Sequence, residues 1–140
     1  MFMEIILVGN VGRTPELRFT NSGQAVCDFS LAVNRRYRSG DRDVDETTWF
    51  RVTVWGKQAE IVNQYISKGR QVLVIADRIQ ASAYLARDNN EPRASLEVTA
   101  RQVRFLGGRG DGDSSGGGGY SGGGYEEEDY NAPNVDDIPF

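Results

Sequence analysis

Residues 47–57, Thr-Thr-Trp-Phe-Arg-Val-Thr-Val-Trp-Gly-Lys, alternate in character and are rich in β-branched and aromatic residues. That is the pattern of a strand. Successive side chains of a strand point to opposite faces. Phe50, Val52 and Val54 therefore form one face, a stripe suited to a core, and Trp49, Arg51, Thr53 and Trp55 form the other. The chain must supply a sheet with one apolar face, and the opposite face carries both of its tryptophans with a cation between them. Flat, anionic ligands suit such a face. Nucleobases stack on aromatic side chains at about 1–3 kcal/mol per base, and arginine neutralises the phosphates between them. Two other readings use the same residues: a strand buried on both faces, and an oligomer interface.

The rest of the chain supplies the partners of this strand. The apolar run at 2–9 predicts a first strand buried on both faces, broken by Gly9-Asn10-Val11-Gly12. Leu17-Arg18-Phe19-Thr20 is a short piece before the turn signal Asn21-Ser22-Gly23. Residues 25–34 alternate, with Phe29, Leu31 and Val33 on one side. Residues 35–43 predict a polar loop in which Arg35, Arg36, Arg38 and Arg42 surround Tyr37. It is either a solvated loop or an arm that closes over a phosphate backbone. Ala59, Val62, Tyr65 and Ile66 predict a helix over 57–68, stopped by Gly69. A buried strand at 72–76 continues as a looser one over 78–87, which contains Tyr84. The last strand spans 94–106, with Leu96, Val98, Ala100 and then Gln102 on one face.

Five strands with one helix between the third and fourth is the order of an all-β Greek-key OB-fold barrel, which binds oligonucleotides on the face of its strands two and three. The tryptophan strand is the third. Residues 1–107 are the expected OB-fold domain. Residues 108–131, rich in glycine, tyrosine and acidic residues, cannot bury enough apolar surface to order and form a disordered linker. Residues 132–140 form a tip.

Charge follows the same division. Residues 1–108 carry 15 Arg/Lys and 12 Asp/Glu, while residues 109–140 carry one Arg and eight Asp/Glu, so a mildly basic body bears a strongly acidic tail. The chain has no histidine, which removes the commonest catalytic base and the commonest metal ligand. With no convincing paired carboxylates and no phosphate-cradling glycine motif, the expectation is a non-enzyme with no cofactor and no metal. The single Cys27 excludes an internal disulfide and reads as a small buried apolar side chain. No run of 18 apolar residues exists to span a membrane, and the opening residues read as a strand rather than a signal peptide. The Arg109-Gly110-Asp111 tripeptide is a chance match to an adhesion motif in such a chain. At the end, Asp136, Asp137, Ile138, Pro139 and Phe140 set an apolar tip on an acidic stem. That combination fits a basic pocket with a hydrophobic hole on a partner.

Four blocks, in order, resemble the bacterial single-stranded DNA-binding protein (SSB) family. They are Ile6-Leu7-Val8-Gly9-Asn10-Val11-Gly12 with Pro15-Glu16-Leu17-Arg18; the run from Trp49 to Glu60; Tyr65-Ile66-Ser67-Lys68-Gly69; and Asp136-Asp137-Ile138-Pro139-Phe140. The resemblance covers essentially the whole chain. It implies a cytoplasmic homotetramer that wraps single-stranded DNA and recruits replication, recombination and repair proteins through its tip. Carried over by position, Tyr37, Trp49, Trp55 and Tyr84 would stack on bases, and Arg51, Lys57 and Lys68 would meet the backbone. Arg35, Arg36 and Arg78 join them from charge alone. Tyr37 and Tyr84 stand where the family often has tryptophan, and Phe50 where a histidine often lies at a subunit contact. Ala76-Asp77 lengthens its segment by one residue, which predicts a bulge. Ser82 and Ala83 replace basic residues and imply a weaker phosphate grip. Stacking does not read the sugar, so RNA remains open.

Overall fold

The computed structural model describes residues 1–106. The expectations for the linker and the tip, including Asp136 to Phe140, lie outside the described residues. The elements run β1 (Ile5–Val11), β2 (Glu16–Phe19), β3 (Ala25–Ser39), β4 (Arg42–Trp55), α1 (Lys57–Tyr65), β5 (Gln71–Leu85) and β6 (Pro92–Phe105). They form one sheet in the order β1-β5-β6-β4-β3-β2, closed by an additional β1–β3 pairing. β1, β3, β4, β5 and β6 thus make the expected five-stranded barrel, with β2 as an appendage along the edge of β3. The β4–β6 pair is parallel and the other pairs are antiparallel. Among the described residues no helix is long and apolar enough to cross a membrane.

The barrel closes where β1 crosses β3, with Asn10 opposite Ala32 and Val11 opposite Leu31. Gly9 makes the crossing possible: a Cβ there would lie 2.3 Å from the Ala32 carbonyl oxygen. Inside, Cys27, Phe29 and Leu31 of β3 meet Phe50, Val52 and Val54 of β4, Val72 and Val74 of β5, and Val98 and Val103 of β6. Phe50 belongs to this core. α1 adds the buried Ala59 and Val62 to the same core. Gly56 turns the chain from β4 into α1 at a φ of 70°, and its N–H donates to the Ala25 carbonyl at 2.8 Å. Cys27 is fully buried, and burial, with the Asp28 charge second, pushes its thiol up to about 11.

Four expectations need correction. β1 is buried on one face only: Ile6 and Val8 are 61% and 44% exposed. An apolar run here reflects an uncovered outer face, not a second core. α1 ends at Tyr65 rather than at residue 68, because Ile66 turns extended and enters the core, and Gly69 serves a later turn held to β1. On β6, Val103 rather than Gln102 follows Ala100 inward, because the register slips between Ile75 and Ala76. Arg101 is the extra residue. The bulge expected at Ala76-Asp77 is present as a second slip between Ala76 and Arg78.

The fourth correction concerns residues 35–43, which are strand, not loop. The β3–β4 register runs without a break from Val26 with Trp55 to Ser39 with Arg42. Opposite charges face each other along it: Arg35 with Glu46, Arg36 with Asp45, and Arg38 with Asp43. Such cross-strand pairs stabilise a ribbon by a few tenths of a kcal/mol up to about 1 kcal/mol each. Together with its tight turn at Gly40 (φ 63°), they convert a polar, arginine-rich stretch into a projecting hairpin.

Candidate nucleic-acid interface

Cross-strand pairing assembles one broad outer face from β2, β3, β4, β6 and β5. Directly opposed residues share a face, so the register can be read as rows. Arg18, Val26 and Trp55 form one. The next holds Glu16, Asp28, Thr53, Thr99 and Arg78. Ser30, Arg51, Glu97 and Gln80 follow, and beyond them Ala32 lies opposite Trp49. Further along β5, Tyr84 lies opposite Arg93 on the side of Arg78 and Gln80.

The tryptophans sit differently on this face. Trp55 stands 43% exposed above fully buried Val26. Trp49 is half-buried, and its six-membered ring lies against Gly12. A Cβ on Gly12 would be 2.5 Å from Trp49 Cζ3 and 2.8 Å from Ser30 Oγ. The glycine therefore lets the indole lie flat at the corner between β1 and β2. The two rings are six residues apart on one strand, or about 20 Å at strand rise. Arg51 is exposed between them. Thr53 donates to Asp28 Oδ1 at 2.6 Å, and Asp28 Oδ2 also accepts from Arg18 Nε and Nη2 at 3.2 and 3.0 Å.

The remaining predicted site residues fall into three groups. Arg78 and Tyr84 share the tryptophan face, and Arg78 Nη2 donates to Gln80 Oε1 at 3.1 Å. Lys57 opens α1 two residues after Trp55, and Lys68 lies in the turn whose Gly69 donates to the Val11 carbonyl at 2.7 Å. The hairpin holds the rest. Arg36 Nε donates to Asp45 Oδ1 at 2.8 Å on the ribbon face of Trp49. Arg35 stacks over the Tyr37 ring at 5.1 Å, and by strict alternation both lie on the opposite ribbon face. The hairpin is thus less cationic than its arginines suggest: between residues 35 and 46, four arginines meet four carboxylates.

Sequence reasoning passed over Arg13, Arg18, Asp28 and Glu97 as members of this face. The alternation of Leu17-Arg18-Phe19 was a usable signal for Arg18. The placement of Glu97 depended on the parallel β4–β6 register, which no local pattern encodes. Among the described residues no group of three or more His, Cys, Asp or Glu is placed to hold a metal.

The chain matches the model of the single-strand binding protein family over residues 2–106. A single-stranded DNA-binding protein of Treponema pallidum is 39% identical over 103 residues, 74% of this chain and 57% of that protein, so the chain spans less than two thirds of that relative's length. Single-stranded DNA-binding protein 2 of Clostridium acetobutylicum is 37% identical over 137 residues, 96% of this chain and 97% of that one. Among solved structures, a Plasmodium falciparum SSB in complex with ssDNA superposes with a TM-score of 0.64 at 25% identity, covering 76% of this chain and 96% of that chain. The barrel, the family match and the relatives agree: the chain belongs to the single-strand binding protein family.

Proposed function

We propose that the protein binds single-stranded DNA without reading its sequence and performs no chemistry. The observation that carries this reading is the exposed β4 face, where Trp49, Arg51 and Trp55 project together. Bases stack on the two indoles while Arg51, Lys57, Lys68 and Arg78 neutralise phosphates, with Tyr84 extending the track. Tyr37, Arg35 and Arg36 contact the strand from the hairpin. Duplex, whose bases are already stacked, binds poorly. Such binding protects single strands during replication, recombination and repair in the cytoplasm.

Two further parts of the reading concern assembly. Ile6 and Val8 lie opposite Ile75 and Leu73 on the outer face of the barrel, and among the described residues β1 has no strand partner beside residues 5–9 on its other edge. An open edge next to an apolar face suits a second copy of this chain, and a homotetramer repeats that pairing. Val8→Asp should lower the mass seen by sedimentation, and an unchanged mass would place the interface elsewhere. Residues 1–107 form the binding domain, residues 108–131 a linker, and residues 132–140 a tip. There Asp136, Asp137, Ile138, Pro139 and Phe140 recruit DNA-processing proteins. Tryptophan fluorescence titrated with oligo-dT and with duplex of equal length tests the central claim. Quenching by oligo-dT alone, weakened by salt, is the expected result. No quenching by either would refute the stacking platform.

A further inference from the structure

The structure assigns a phosphate-binding subsite to the corner between β1 and β2, beside Trp49, where Arg13, Ser30 and Arg51 hold one phosphodiester of the bound strand. This inference rests on the single-strand binding reading above and adds Arg13 and Ser30 to the phosphate contact that reading gives Arg51.

Three observations meet at this corner. First, a cleft of about 230 Å³ opens there, with Arg13, Thr14, Ser30 and Arg51 among its walls. It borders the place where Trp49 lies, because Gly12 faces both the indole and Ser30 Oγ. A strand whose base stacks on Trp49 therefore brings its backbone to the mouth of the cleft. Second, Ser30 is only 5% exposed, and its hydroxyl has no hydrogen-bond partner. A buried hydroxyl without a partner costs stability, and Ser30 is among the residues that wall the cleft. Third, the guanidinium groups of Arg13 and Arg51 make no ion pair or hydrogen bond with any described residue. The hairpin differs, since its arginines face carboxylates across the ribbon. Arg51 also has Glu97 opposite it across the β4–β6 ladder, without an ion pair, so the corner offers two guanidinium groups with no bonded carboxylate among the described residues.

The two carboxylates of the cleft do not cancel it equally. Asp28 is occupied, accepting from Arg18 and from Thr53. Glu16 is exposed, lies directly opposite Asp28 and has no partner among the described residues. It opposes an incoming phosphate and sets an upper limit on the grip of the site. The same chemistry therefore predicts variants of opposite sign.

Binding of oligo-dT by the full chain across a salt series tests the assignment. One phosphate contact on a single strand contributes about 0.7 to the slope of log Kobs against log salt. Arg13→Ala should make that slope shallower by about 0.7, which, extrapolated from 1 M, is about eightfold weaker binding in roughly 50 mM salt. Glu16→Gln should tighten binding. Ser30→Ala should weaken it several-fold while the unfolding midpoint stays level or rises, a combination that a purely structural serine would not give. An Arg13→Ala variant with wild-type slope and affinity would overturn the proposal. So would weaker binding at an unchanged slope, which assigns the cleft to a base, or a stabilised Ser30→Ala variant that binds like wild type. In each case wild-type binding leaves the single-strand reading standing, whereas failure of the wild type itself to bind removes both.

Discussion

Gly12→Ala is the smallest change that should disarm Trp49. The added Cβ would stand 2.5 Å from Cζ3 and 2.9 Å from Cη2 of the indole, and 2.8 Å from Ser30 Oγ. Carbon atoms rest at about 3.5–4.0 Å, so the ring must withdraw by about 1 Å or more. The backbone offers little give, because the Gly12 N–H donates to the Ser30 carbonyl at 2.9 Å. Trp49 is only partly buried and can swing outward. The stability cost should therefore fall at the low end of the 1–3 kcal/mol of overpacking, about 1 kcal/mol. Binding should suffer more. A base stack is worth about 1–3 kcal/mol, so loss of its geometry corresponds to roughly five- to 150-fold in affinity. In a Trp55→Phe background, emission reports on Trp49 alone. The variant should emit further to the red and bind oligo-dT more weakly, with a denaturant midpoint only slightly reduced. Unchanged emission together with affinity within about twofold of the parent would refute the argument that Gly12 seats the ring.

Gly9→Ala meets backbone rather than a movable ring, with its Cβ 2.3 Å from the Ala32 carbonyl oxygen. It should cost about 3 kcal/mol or more in urea unfolding, and a loss no larger than that of Gly12→Ala would contradict closure at this crossing. Replacing Asp43, Asp45 and Glu46 together by their amides frees the hairpin arginines. If the hairpin touches the strand, the salt slope should steepen by up to about 2; an unaltered slope would show that it does not. The Cys27 thiol, pushed from 9.0 to about 11, should resist alkylation in the folded protein at pH 8. The unfolded chain ionises it first, so this contribution to stability is full below about pH 9. It declines by roughly 1.4 kcal/mol per pH unit up to about 11. A Cys27→Ser variant with an identical alkaline unfolding profile would argue against that assignment.

The alternation of residues 49–55 was legible because one face is core and the other is not, and both Trp49 and Trp55 lie where the pattern put them. The hairpin was misread as a loop because Arg, Asp, Ser and Gly are poor strand formers taken singly. Its stability comes from pairing residues such as Arg36 and Asp45 across a turn, which becomes visible only once a register is assumed. β1 was misjudged for another reason. An apolar residue facing outward, such as Ile6, looks in sequence like one facing a second core. The bulge at Asp77 was anticipated from a length difference, whereas the one at Arg101 had no local signal and shifted the inward residue from Gln102 to Val103. The corner formed by Gly12, Arg13 and Ser30 joins the β1–β2 connection to β3, and nothing in either segment alone announces it.

β1 has a kinetic consequence. Its main partner is β5, and the paired residues lie between 61 positions apart, Asn10 with Gln71, and 71 apart, Ile5 with Ala76. Loop-closure entropy must be overcome before those contacts form, which places such barrels among the slower-folding small domains, on a timescale of milliseconds to seconds. The β3–β4 ribbon closes across a tight turn and can form in microseconds. The hairpin that carries Trp49 and Trp55 should therefore be an early event in folding, and the arrival of β5 against β1 a late one. Mutations at Val8 or Leu73 should then speed unfolding while leaving the folding rate nearly untouched.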